Sequence, residues 1–132
     1  LWPFLPYIEK VWYTFMKKSF MLKNTRDFTR VYKMGKSLAN KLLVLYYLPN
    51  DNNSIRIGLS ISKKVGISVV RNKIRRLIKE NIRLNLQNIK EGYDIIIIAR
   101  VLSSRADYKS IKWALDNLFK RAKLLKRCEL KW

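Results

Sequence analysis

The run from Lys63 to Glu80 holds the residues best suited to chemistry. It places seven cations and one acid within eighteen residues. On a helix at about 100° per residue, Ile74, Leu77, Ile78 and Ile82 gather on one side. Asn72, Arg75, Arg76, Lys79 and Arg83 gather on the other. Such a helix docks its apolar stripe on a core and turns its basic stripe outward. A solvated helix face normally mixes signs so that i, i+4 pairs form. Here Glu80 is the one acid at hand, so the expected partner is an external polyanion. Arg71, Asn72, Lys73, Arg75, Arg76, Lys79 and Arg83 form the candidate contact set. Lys63 and Lys64 flank the turn before the helix and extend it. Arginine forks match phosphate oxygens in pairs, and released counterions supply free energy. The plain alternative is a solvated helix face.

The whole chain shares this bias. Its 132 residues carry 29 Lys+Arg against 9 Asp+Glu, a net charge of +20. Charge of one sign strains a compact state through self-repulsion and favours nucleic acid as partner. An anionic membrane surface comes second, and a basic protein with no specific polyanion third. A hydrophobic fraction of 48% suffices for one core, and the length suits one domain. There is no histidine, which excludes Ser–His and Cys–His catalysis and His-ligated zinc. The single Cys128 cannot form an internal disulfide, and no paired-cysteine metal motif exists. That fits a reducing cytoplasm. The chain alone has few means of catalysis.

The elements that must position the basic run follow from pattern. Residues 1–15, LWPFLPYIEKVWYTF, fit neither a signal peptide nor a membrane span. They read as an N-terminal extension, poorly ordered or docked. Residues 16–126 read as one nucleic-acid-binding domain and residues 127–132 as a basic tail. Asn24 is placed to cap a short helix with Asp27 three residues on, and Gly35 to stop it. Phe28, Val31 and Tyr32 share one face of that helix. Leu42 to Leu48 reads as a strand. Residues 49–53 read as a turn. Ile55 to Ser62 alternates as a strand with one buried face, and hairpin pairing of the two strands is expected. The basic helix spans roughly Val69 to Leu86. Asp94 to Ala99, with four consecutive isoleucines, reads as a fully buried strand. Asp107 to Lys126 reads as a last helix whose apolar side is Ile111, Leu115, Leu118, Ala122 and Leu125. The fold class is α+β: a two-layer sandwich of a small central sheet and three helices.

Two motifs then carry a resemblance. Arg56-Ile57-Gly58-Leu59-Ser60-Ile61-Ser62-Lys63-Lys64-Val65-Gly66 is followed by Val69-Val70-Arg71-Asn72-Lys73-Ile74-Arg75-Arg76-Leu77-Ile78-Lys79-Glu80. Together they closely resemble the protein subunit of bacterial ribonuclease P. Asp27 to Tyr32, Gly35-Lys36-Ser37 and Tyr93 to Arg100 extend the resemblance, which spans Met16 to about Leu125. Ile67-Ser68 departs from the Asn-Ala pair usual after Gly66.

The resemblance implies a β-α-β crossover of left-handed sense around the basic helix, against the usual right-handed rule. It implies an endoribonuclease whose catalytic centre lies in an RNA subunit, where Mg2+ ions activate water to remove the 5′ leader of precursor tRNA. The protein would catalyse nothing alone. Its partners would be ribonuclease P RNA and precursor tRNA, in the cytoplasm, with no membrane and no protein partner required. Phe28, Tyr32 and Tyr46 would line a cleft for the single-stranded leader, where bases stack on aromatic rings. By helical spacing alone, Phe28 and Tyr32 read as core. Asn72 would hold a metal-bound water beside phosphate, with a cap or backbone hydrogen bond as the alternative. The competing function is a ribosomal or RNA-chaperone protein with no role in cleavage.

Overall fold

The structure is a computed structural model that describes residue 22, residues 24–51 and residues 54–126. The expectations for residues 1–15, for Cys128 and for the tail lie outside the described residues. The elements run α1 (Thr25–Met34), β1 (Lys36–Ala39), β2 (Leu43–Pro49), β3 (Arg56–Ile61), α2 (Ser68–Asn85), β4 (Tyr93–Ala99) and α3 (Tyr108–Arg121). Short 3-10 turns lie at Lys63–Val65, Leu86–Asn88 and Val101–Arg105.

The four strands form one mixed sheet in the order β1-β2-β4-β3. Its registers correct the expected hairpin. β2 pairs antiparallel with β1 and with β4, and β3 pairs parallel with β4. Thus β2 and β3 are sequence neighbours but not sheet neighbours. The reason is burial. Ile95, Ile96 and Ile97 are all fully buried, so β4 must have neighbours on both edges and cover on both faces. It lies between β2 and β3, and α2 forms the crossover from β3 to β4.

Strand alternation then sorts the two faces. Leu43, Leu45, Ile57, Ile95 and Ile97 join Ile74, Ile78 and Ile82 of α2 and Ile111, Leu115 and Leu118 of α3 in the main core. That packing is the two-layer sandwich. α1 lies across the opposite face over a smaller cluster of Leu22, Val31 and Ile96.

Several local expectations change. Asn24 sits at the N-cap of α1, but its side chain makes no capping bond. Asp27 reaches Arg56 instead, 3.3 Å away. Gly35 does end α1, though not through a left-handed turn: its φ is −80°. A Cβ there would lie 2.5 Å from the Val31 carbonyl oxygen and 2.8 Å from that of Tyr47. Glycine therefore lets the helix end sit against β2. Lys36 and Ser37 open β1.

α3 also ends earlier than the apolar pattern suggests. Asp107 caps it by accepting from the Ser110 amide at 2.8 Å. Lys123 takes φ +59°, and the Leu124 amide donates back to Phe119 O at 3.0 Å. This is a left-handed helix stop with lysine where glycine is usual, so the sequence carried no stop signal. Leu125 leaves the helix and bridges to Ile89.

Candidate nucleic-acid interface

α2 is built as its periodicity requires. Ile74 and Ile78 are fully buried and Ile82 nearly so, with Leu77 half-buried. The apolar stripe is committed to the core. No described helix is long and apolar enough to cross a membrane.

The basic stripe faces outward, but its members are not equivalent. Lys73 and Arg76 are exposed, while Arg75 and Lys79 are half-buried. Arg75 Nη1 donates to Asn72 Oδ1 at 2.8 Å. Arg71 lies nearer the core border, and its Nη2 donates to Ser68 Oγ at 3.1 Å. Among the described residues, Arg71, Lys73, Arg75 and Arg76 make no ion pair. Arg83 does: its Nε donates to Glu80 Oε2 at 3.0 Å. That amends the expectation that the cations lack internal partners. Burial, then the neighbouring Arg75 charge, lowers the Lys79 pKa from its ordinary value. Cations are crowded here, and an incoming anion would relieve the repulsion.

Lys63 and Lys64 are exposed on the turn that leads to Gly66. Ile67, one of the two residues off the family pattern, occupies the α2 N-cap. It offers no side-chain cap and is largely exposed.

The second group gathers where α1 crosses the sheet. Phe28 and Tyr32 come from α1 and Tyr46 from β2. The Tyr32 and Tyr46 rings meet edge to face, with centroids 5.0 Å apart. Phe28 lies 6.2 Å from Tyr32. Phe28 also seats on Gly58 of β3, where a Cβ would come within 2.5 Å of its ring. Burial raises the Tyr32 pKa, and a hydrogen bond with Ser60 opposes that shift. The aromatics are neither wholly buried nor wholly free. They pack on the sheet, yet Tyr32 keeps 38% of its surface exposed.

An ion cluster beside these rings escaped the sequence reading. Asp94, at the head of β4, is fully buried. Its Oδ2 accepts from Arg30 Nη2 of α1 at 2.6 Å and from Arg56 Nη2 at 2.7 Å. Its Oδ1 accepts from Arg56 Nε and Asn50 Nδ2, both at 2.8 Å. Burial alone would raise the Asp94 pKa. Hydrogen bonds from Arg56, Asn50 and Arg30 outweigh burial and hold the carboxyl below its ordinary range. The cluster ties α1 to β3 and β4. One signal was available: an acid opening a buried isoleucine strand must find donors. Arg56, read as the solvent side of an alternating strand, instead faces α1.

Asn72 is the residue the resemblance links to a metal. Its Oδ1 accepts from Arg75, and lysines and arginines surround it. Among the described residues, no three His, Cys, Asp or Glu cluster to hold a metal ion. This surface does not fit a divalent ion held by the protein itself.

A small α+β module with an outward basic helix on one face and a group of packed aromatic rings on the other defines a nucleic-acid-binding class. The Ribonuclease P family profile matches residues 16–123. The ribonuclease P protein component of Clostridium botulinum (strain 657 / Type Ba4) is 56% identical over 108 residues, covering 81% of this chain and 96% of that one. Among solved structures, the Staphylococcus aureus RNase P protein superposes with a TM-score of 0.75 at 37% identity, covering 82% of this chain and 99% of the other. The Thermotoga maritima RNase P protein gives 0.71 at 35% identity, covering 76% and 96%. The chain belongs to the ribonuclease P protein family, and its function is that of a protein component of ribonuclease P. That sets aside the ribosomal and RNA-chaperone alternative.

Proposed function

We propose that α2 grips the ribonuclease P RNA while the cleft between α1 and the sheet holds the 5′ leader of precursor tRNA. The observation that carries this reading is the set Arg71, Lys73, Arg75 and Arg76 of α2, cations that make no ion pair with a described residue, opposite the buried stripe. Arg71, Lys73, Arg75 and Arg76 neutralise RNA phosphates, joined by Lys63, Lys64, Asn72, Lys79 and Arg83. Phe28, Tyr32 and Tyr46 offer ring surface to unpaired bases, which suits leaders of varied sequence.

Catalysis belongs to the RNA subunit, with no catalytic residue in the protein. Bound Mg2+ would supply an activated water there. The protein adds cations beside crowded phosphates and fixes the leader, which orients the scissile bond. The setting is the cytoplasm.

The leader assignment is testable in a holoenzyme assembled with a bacterial ribonuclease P RNA. Affinity is compared for precursor tRNA with and without its leader. Tyr32→Leu keeps bulk against Tyr46 but removes a stacking face, and should lower the leader-dependent affinity about ten-fold. Gly58→Ala should also lower it, because the new Cβ displaces Phe28 from its seat. A leader-dependent affinity unchanged in both variants would overturn the assignment.

A further inference from the structure

A second cationic surface lies at the β1 edge of the sandwich, across the sheet from the β3 edge that feeds α2. It is built around Asn40 in the turn between β1 and β2. Asn40 Oδ1 accepts from the Leu42 and Leu43 amides at 3.1 and 2.9 Å. Its Nδ2 donates to Ala114 O at 3.0 Å and to Asn117 Oδ1 at 3.3 Å. One side chain thus fixes the turn and fastens it to α3.

Two guanidiniums are braced on that turn. Arg121 Nη1 donates to Ala39 O at 2.9 Å, and Arg100 Nη1 donates to Asn40 O at 2.8 Å. Two like charges are thus held on the carbonyls of consecutive residues. Neither makes an ion pair with a described residue. Lys41 is exposed on the same turn. The acids of α3 do not offset them: Asp116 pairs with Lys112 at 3.2 Å, and Asp107 caps the helix. Two braced cations with no local acid form a ready seat for an anion.

Trp113 lies one helical turn before Asn117 on α3. At about 100° per residue, Lys109, Trp113 and Lys120 form a stripe beside Asn117 and Arg121. Trp113 is 57% exposed. A large exposed ring among fixed cations matches the two parts of an unpaired nucleotide, base and phosphate.

We propose that the α3–turn face is a second RNA site, which takes the phosphates of an unpaired strand on Arg100 and Arg121 and stacks a base on Trp113. With α2 at the far edge, one small protein could hold two RNA segments apart at a fixed span. The inference rests on the reading of this chain as an RNA-binding subunit and adds a separate surface to it.

The test uses the full chain and a bacterial ribonuclease P RNA transcript as probe, with backbone footprinting and affinity measured against KCl. Wild-type protein should protect two separate tracts. Arg100→Gln/Arg121→Gln should expose one tract and lower the salt slope by about 1.5. Trp113→Ala, at an exposed position, should weaken binding about ten-fold and expose the same tract. Arg75→Ala/Arg76→Ala should expose only the other. If the α3-face variants lose no tract while the α2 variant does, the second site is overturned and the first stands. If no variant loses a tract, both fail. If Trp113→Ala changes only the sedimentation of the free protein, the face joins copies of the chain and the RNA proposal is overturned.

Discussion

Asp94→Ala is expected to lower the free energy of unfolding by about 3 kcal/mol, the low end for breaking a buried ion pair. Asp94 is fully buried, whereas the Arg30 and Arg56 side chains keep 42% and 25% exposure. Both arginines can therefore rehydrate when the carboxylate is lost, which keeps the cost at that end. Asp94→Asn keeps one acceptor and should cost less. The effect has a pH signature. The folded pKa of Asp94 is depressed, so its contribution is fully present above the unfolded value of about 3.9. It disappears as pH falls through the folded value. Urea denaturation at pH 7 and again below pH 4 should show the difference between wild type and Asp94→Asn shrinking with acid. A constant difference would refute the ion-cluster account. Asp94 also joins α1 to the sheet, so leader-dependent affinity should fall along with stability.

The second large effect is on RNA. Arg75→Ala/Arg76→Ala should weaken binding to a ribonuclease P RNA about 150-fold near 0.1 M salt, as expected for two charge-assisted contacts at the low end of about 1.5 kcal/mol each. The slope of log affinity against log salt should fall by about 1.5. Stability should change by no more than about 0.5 kcal/mol, because neither side chain enters the core. Arg83→Ala should cost less, since Glu80 already neutralises part of its charge. Equal losses for Arg83 and for the Arg75–Arg76 pair would mean that internal pairing does not grade this face.

What the sequence disclosed and what it hid divide along a physical line. α2 was legible because Ile74, Ile78 and Ile82 repeat at helical spacing and the cations fall opposite. β4 was legible because four isoleucines in a row leave no solvent face. Local signals failed where a distant partner decided the outcome. Residues 49–53 look like a hairpin turn, yet β4 enters between β2 and β3 because its own burial demands two neighbours. Lys36-Ser37-Leu38-Ala39 lacks strand-forming residues and becomes β1 by pairing along Tyr47 to Val44. The end of α3 depends on Lys123 in a left-handed conformation that composition does not announce. The site divides in the same way. The basic face could be read from one helix, whereas the aromatic group and the Asp94 cluster join α1 to strands β2, β3 and β4. The polar residues Arg56, Gly58 and Ser60 alternate as a solvent face would, but they line the floor beneath α1.

The most direct measurement is cleavage of precursor tRNA at low magnesium by a bacterial ribonuclease P RNA, with and without this protein. Stimulation by the protein, no cleavage by the protein alone, and loss of stimulation with Arg75→Ala/Arg76→Ala are expected. Tight RNA binding without stimulation, or leader removal by the protein alone, would contradict the proposed role.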